Sequence, residues 1–168
     1  MLDFLYKLIL TNKLQFRKGE IILLGSYVTL IPPTVYVALL KELEKENKQN
    51  LIYDYNKKAA FKWLSQLVKE NKSPEDLLEF TLKLINLLAL GETSLLEKDL
   101  KNNNFKFELK NSLTAEIYGK SNNPIDLEFS GLMAGALSYI FNKDFVCSEE
   151  SCVANGAKSC IFVARVVN

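Results

Sequence analysis

All three cysteines of this 168-residue chain fall in one stretch, CSEESCVANGAKSCIF, at positions 147, 152 and 160, with Glu149 and Glu150 between the first two. Thiolates and a carboxylate are groups that zinc takes as tetrahedral ligands, and binding makes the thiols give up their protons. The gaps of five and eight residues contain no Cys-x-x-Cys pair. Spacing alone therefore leaves three readings open: a metal site, a thiol redox device, and small apolar residues in a core.

Geometry restricts the metal reading. If Asn155-Gly156 is a two-residue hairpin turn, Cys152 lies opposite Ser159, and Cys152 and Cys160 point to opposite faces of the sheet. Cys147 and Glu149 share a face on a regular strand and Cys152 does not, so the chain has to bend after Glu149 for all of them to meet. A shared metal requires a bulge or a wider loop.

The chain contains no histidine. That excludes a Ser-His-Asp or Cys-His catalytic pair, a histidine zinc ligand and a proximal haem histidine. The net charge is +1, and Arg17 and Arg165 are the two arginines, which argues against a direct nucleic-acid footprint. Composition is that of a soluble globular protein, 48% apolar and 24% charged, and the length fits one domain, residues 1–168. The opening MLDFLYKLILTNK carries Asp3 and Lys7 and lacks a signal-peptide cleavage site. No apolar run reaches the roughly 18 residues of a membrane span. The expected location is the cytoplasm, where clustered thiols stay reduced.

The elements that must position these groups read as follows. A helix is expected over 2–12, with Leu2, Leu5, Ile9 and Leu10 on one side, then a strand over 20–33 that stops at Pro32 and Pro33. Helices follow at 33–46, 51–70 and 74–90, the last opened by Ser73 as N-cap with Pro74 next, and expected to be the most buried. Phe105, Phe107 and Leu109 alternate with Lys106, Glu108 and Lys110, a half-buried strand, and LTAEIYG (113–119) is its expected partner across an Asn111-Ser112 turn. A helix over 126–142 carries Gly131, Ala134, Gly135 and Ser138 as a small-residue face for close approach to another backbone. Strands at 144–150 and 159–167 end the chain. The order predicts an α+β fold, an antiparallel sheet with helices packed on one face.

The run IDLEFSGLMAGALSYIFNKDFVCSEESCVANGAKSCIFV (125–163) resembles the C-terminal half of the 4-vinyl reductase domain family: glycines four apart on a helix at Gly131 and Gly135, then Glu149, Cys152, Gly156 and Cys160. FELKNSLTAE (107–116) resembles the strand-turn-strand of that family, and the specific likeness spans about residues 105–166. The resemblance implies a fold related to haem nitric-oxide-binding domains and small TRAPP vesicle-tethering subunits, with a ligand pocket between helices and sheet. It also implies zinc, held by Glu149, Cys152 and Cys160. The family's remaining cysteine is replaced here by Asp126, which could be a ligand or only the helix N-cap, while Cys147 could substitute as the fourth ligand.

The expected function is a small-molecule-binding sensory or carrier domain, a homodimer, holding an apolar or aromatic ligand near Trp63, Phe105, Phe107 and Tyr118 and closed by a structural zinc site. A thiol and zinc redox switch is the second reading. An enzyme or accessory factor in tetrapyrrole vinyl reduction is the third, though no nucleotide-binding glycine motif and no acid-base pair accompany it. No DNA-binding helix pair or ATPase segment is read in the sequence.

Overall fold

The computed structural model describes residues 2–68, 72–88 and 90–167. Helix α1 (Leu2–Leu10) leads into a small antiparallel sheet of β1 (Leu14–Arg17), β2 (Glu20–Leu23) and β3 (Ser26–Val28). The single strand expected over 20–33 is broken, because Leu24 and Gly25 both adopt left-handed backbone, φ 53° and 85°. Two such residues in a row close a two-residue hairpin, and Leu23 pairs with Ser26 across it. Leu5 and Leu8 of α1 pack inward, while Leu2 and Leu10 are exposed.

Helices α2 (Pro33–Lys45), α3 (Asn50–Leu67) and α4 (Pro74–Leu87) follow. The Ser73 hydroxyl accepts from the Asp76 N–H at 3.1 Å, so the N-cap read from the sequence is in place. The helices expected over 51–70 and 74–90 extend onto Lys69, Glu70 and Ala89, which lie outside the described residues.

The main sheet is antiparallel in the order β4 (Glu92–Asp99), β5 (Asn104–Lys110), β7 (Cys160–Val166), β6 (Phe145–Ser151). The chain is therefore mixed α+β with two open sheets, not one. Residues 113–118 are not a strand: they form α5 (Leu113–Tyr118). Asn111 turns left-handed at φ 53°, and the Ser112 hydroxyl accepts from the Ala115 N–H at 3.1 Å, which caps a helix start. The strands beside β5 are β4 and β7.

Phe105, Phe107 and Leu109 of β5 point into the core with Phe145 and Phe162, and α6 (Leu127–Phe141) covers them with Phe129, Met133 and Leu137. The most buried helix is α6, not α4, because it lies between the sheet and α3. Its glycines make that possible. A Cβ on Gly131 would stand 2.3 Å from the Tyr53 carbonyl oxygen, and one on Gly135 would stand 2.1 Å from that of Lys57. A second, smaller core joins Leu8, Leu14 and Leu23 to Leu84 of α4. Among the described residues, no helix is long and apolar enough to cross a membrane.

Candidate metal centre and helical cavity

Phe145, Cys147 and Glu149 share the buried face of β6, as the period of a strand dictates. The pairing with β7 then slips: Glu149 lies opposite Phe162, and Ser151 opposite Ile161. This bulge leaves Glu150 exposed and carries Cys152 out of the ladder. Val153–Asn155 form a turn of 3-10 helix that ends at Gly156, φ 94°, instead of a tight Asn155-Gly156 hairpin. The bend and the wide loop bring the sulfurs of Cys152 and Cys160 to 3.7 Å, with the Val153 N–H donating to the Cys160 sulfur at 3.3 Å.

The start of α6 completes the cluster. The backbone N–H groups of Ile125 and Asp126 donate to Oε2 of Glu149 at 3.0 and 3.1 Å, and the Ser112 hydroxyl donates to Oδ1 of Asp126 at 2.8 Å. Asp126 stands at the N-cap position but accepts no capping hydrogen bond with its side chain. Its carboxylate faces the cysteines instead. Ligand atoms of Asp126, Glu149, Cys152 and Cys160 all lie within 4.8 Å of one another. Cys147 is outside this group; it is buried on β6, where its N–H donates to the Tyr53 hydroxyl.

The second oxygens, Oδ2 of Asp126 and Oε1 of Glu149, are buried without a partner. Each such atom costs about 1–3 kcal/mol when nothing meets it. None of the ion pairs among the described residues reaches the cluster. Burial, then repulsion from Glu149, raises the Asp126 carboxyl to about 6; burial and the adjoining Cys152 thiol raise Glu149 to about 8. The Cys160 thiol donates to the Cys152 sulfur, which holds Cys160 protonated and favours the thiolate at Cys152. Burial also pushes the Cys147 thiol up, so it stays protonated.

This donor set fits a divalent cation. Two sulfurs and two carboxylate oxygens suit tetrahedral zinc, whose bonds of about 2.0–2.3 Å set ligand atoms roughly 3.3–3.8 Å apart. The sulfurs already stand at that separation. The unpartnered oxygens, with no lysine or arginine paired to them among the described residues, are what a cation at this point would answer.

The residues singled out for an apolar pocket are not together. Phe105 and Phe107 are 1% and 0% exposed and stack in the core with centroids 6.4 Å apart, so the helix–sheet seam around them is filled. Tyr118 sits on the other side of the fold, where its hydroxyl donates to Glu44 at 2.6 Å under the Lys41 ammonium. Trp63 alone of the four lines a cavity, of about 180 Å³, enclosed by α3, α4 and α6. The space lies between helices, not between helices and sheet. Ala60, Leu84, Ile85 and Ala136 form its walls, and Thr81 supplies a buried hydroxyl with no hydrogen-bond partner. Thr81 was not singled out by sequence reasoning; the available signal was one threonine inside the Leu-rich run DLLEFTLKLINLL.

Residues 105–166 match the model of the vinyl-4-reductase domain, the 4-vinyl reductase family of the sequence resemblance. The chain carries a vinyl-4-reductase domain. An uncharacterised protein of Methanocaldococcus jannaschii is 29% identical over 96 residues, which is 57% of this chain and 59% of that protein, so the match spans about three fifths of that relative's length. A vinyl-4-reductase family protein of the same organism, solved as a crystal structure, superposes with a TM-score of 0.60 at 25% identity, covering 84% of this chain and 85% of that one. The fold is also that of the phenol-responsive sensory domain of the transcription activator PoxR, solved with phenol: TM-score 0.81, 19% identity, 94% and 87% of the two chains. The expected kinship with TRAPP and haem nitric-oxide-binding folds holds at lower likeness, TM-scores 0.57 and 0.54.

All four cluster residues lie inside the segment that matches the family model. The cavity straddles its boundary: α6 belongs to the vinyl-4-reductase domain, whereas α3 and α4 precede it.

Proposed function

We propose that this chain is a cytoplasmic small-molecule-binding unit, sensory or carrier in role and homodimeric, for an apolar or aromatic ligand. The observation that supports the reading is an apolar cavity of about 180 Å³ beneath α6, in a fold shared with the phenol-responsive sensory domain of PoxR. Zinc at Asp126, Glu149, Cys152 and Cys160 would neutralise buried charge and tie the start of α6 to the β6–β7 loop, a structural role because every donor is a protein group. Ser112 and the N–H groups of residues 125 and 126 orient the two carboxylates. Native mass spectrometry with elemental analysis tests this: a retained small molecule, a dimer mass and one zinc per chain are expected. No retained molecule, and no melting shift with any of a metabolite panel, would defeat the ligand reading.

A redox role is the second reading, favoured by the 3.7 Å separation of the Cys152 and Cys160 sulfurs. Hydrogen peroxide would convert the two thiols to a disulfide and two waters, removing two metal ligands at once. Zinc that stays bound through peroxide treatment rejects it.

A further inference from the structure

We infer that the cavity between α3, α4 and α6 is a site for a neutral single-ring molecule carrying one hydroxyl or carbonyl, and that Thr81 is its polar anchor. The inference rests on the small-molecule reading above and adds the place, the size and the chemistry of the ligand.

Size comes first. An engineered apolar cavity of about 150 Å³ takes up benzene. The space here, about 180 Å³, fits one ring with a small substituent and is too small for two. It exists because Ala59, Ala60 and Ala136 stand where larger side chains would fill it, with the Trp63 ring as one wall. Ala59 and Leu88 are exposed, so entry is at the solvent edge between α3 and the end of α4.

Chemistry follows from the lining. Among the described residues no charged side chain borders the space, so an ion entering it would lose its hydration without a counter-charge. Thr81 is 4% exposed, and its hydroxyl meets no partner. A helical hydroxyl ordinarily donates to the carbonyl four residues back. Ser138 does so, to Ala134 at 2.7 Å, and accepts from the Phe145 N–H at 2.9 Å. The Thr81 hydroxyl makes neither bond, and it is left to donate to or accept from a molecule in the cavity.

Calorimetric titration of the purified chain with phenol, toluene and benzoate, repeated on Thr81→Val and Ala136→Leu, tests the site. Phenol should bind about three- to tenfold more tightly than toluene, as one neutral hydrogen bond allows, and benzoate should not bind. Thr81→Val keeps the side-chain shape and should abolish the preference for phenol without lowering the melting temperature. Ala136→Leu should eliminate binding of both rings while zinc content and circular dichroism stay unchanged. Phenol binding that survives Ala136→Leu, or a preference unchanged in Thr81→Val, overturns this site but leaves the small-molecule reading standing. If the wild-type chain binds neither ring, the site is overturned; if it also retains no molecule on purification, the broader reading falls with it.

Discussion

At the N-terminal end of α6, Asp126 meets Glu149, Cys152 and Cys160 with ligand atoms within 4.8 Å. Ten residues along the same helix, about 15 Å further on, Ala136 borders a cavity of about 180 Å³ that contains a single uncommitted hydroxyl. One region holds too many polar groups for its volume and the other too few atoms. Both conditions are costly in a folded chain, the first through unpaired charge and the second through lost contacts. A third component relieves each: a cation in one case and an apolar molecule in the other. The two regions share a helix but are held by different contacts, so they should fail separately.

Cys160→Ser tests the crowded end and carries the largest expected effect. Zinc should fall from about one per chain to near none by elemental analysis, and the melting temperature should drop by at least about 10 °C, since structural zinc contributes directly to folding. Phenol affinity should change by less than about threefold. Gly135→Ala should do the reverse. Its methyl would collide with the Lys57 carbonyl oxygen at 2.1 Å and touch Ala60, a cavity wall, so α6 must move off α3. A cost of about 3 kcal/mol, a melting temperature lower by roughly 6–12 °C and lost phenol binding are expected, with zinc still near one per chain. If either variant removes both zinc and ring binding, the separation of the two regions is wrong.

This contrast also explains what the sequence could reveal. The metal cluster is built from residue types that announce themselves, so Glu149, Cys152, Cys160 and Asp126 could be named before any coordinates. The condition for their meeting, a bend after Glu149 and a widened turn, could be stated too, and both are present. Choosing between Asp126 and Cys147 could not be done, because it depends on how α6 approaches β6 through hydrogen bonds 23 and 24 residues apart in sequence. A cavity is made by what is missing; Ala59, Ala60 and Ala136 are ordinary helix residues until three helices meet around them. The glycines at 131 and 135 were legible as a close-approach face because that geometry admits no Cβ. Residues 113–118 were misread because alternation was weighed above Ser112, whose hydroxyl starts a helix.

Asp126→Asn and Cys147→Ser sharpen the crowded end by deciding its fourth ligand. Replacing Asp126 should weaken zinc by at least about a hundredfold in a chelator competition, beyond the 10- to 100-fold that outer contacts usually cost. Replacing Cys147, whose thiol is buried apart from the cluster, should leave zinc affinity within about threefold. The opposite ranking would seat Cys147 in the site and return Asp126 to a helix-start role.

The smallest effect is a slope. In metal-free protein Asp126 is raised from 3.8 to about 6 and Glu149 from 4.5 to about 8, burial being the main cause in each. Between about pH 4 and 8 the folded chain therefore binds more protons than the unfolded chain, and stability must fall as pH rises through that window. Glu128, raised by burial to about 7, adds to the same slope, so Glu128→Gln isolates the part due to the cluster. Zinc reverses the sign, because a cation replaces those protons and binding strengthens as the thiols ionise. Melting curves from pH 5.5 to 8 should thus decline for the chelator-treated Glu128→Gln chain and hold or rise for the zinc-loaded one. A flat metal-free curve would mean that the two carboxylates are already ionised in the folded chain, and the charge argument for a cation between them would fail.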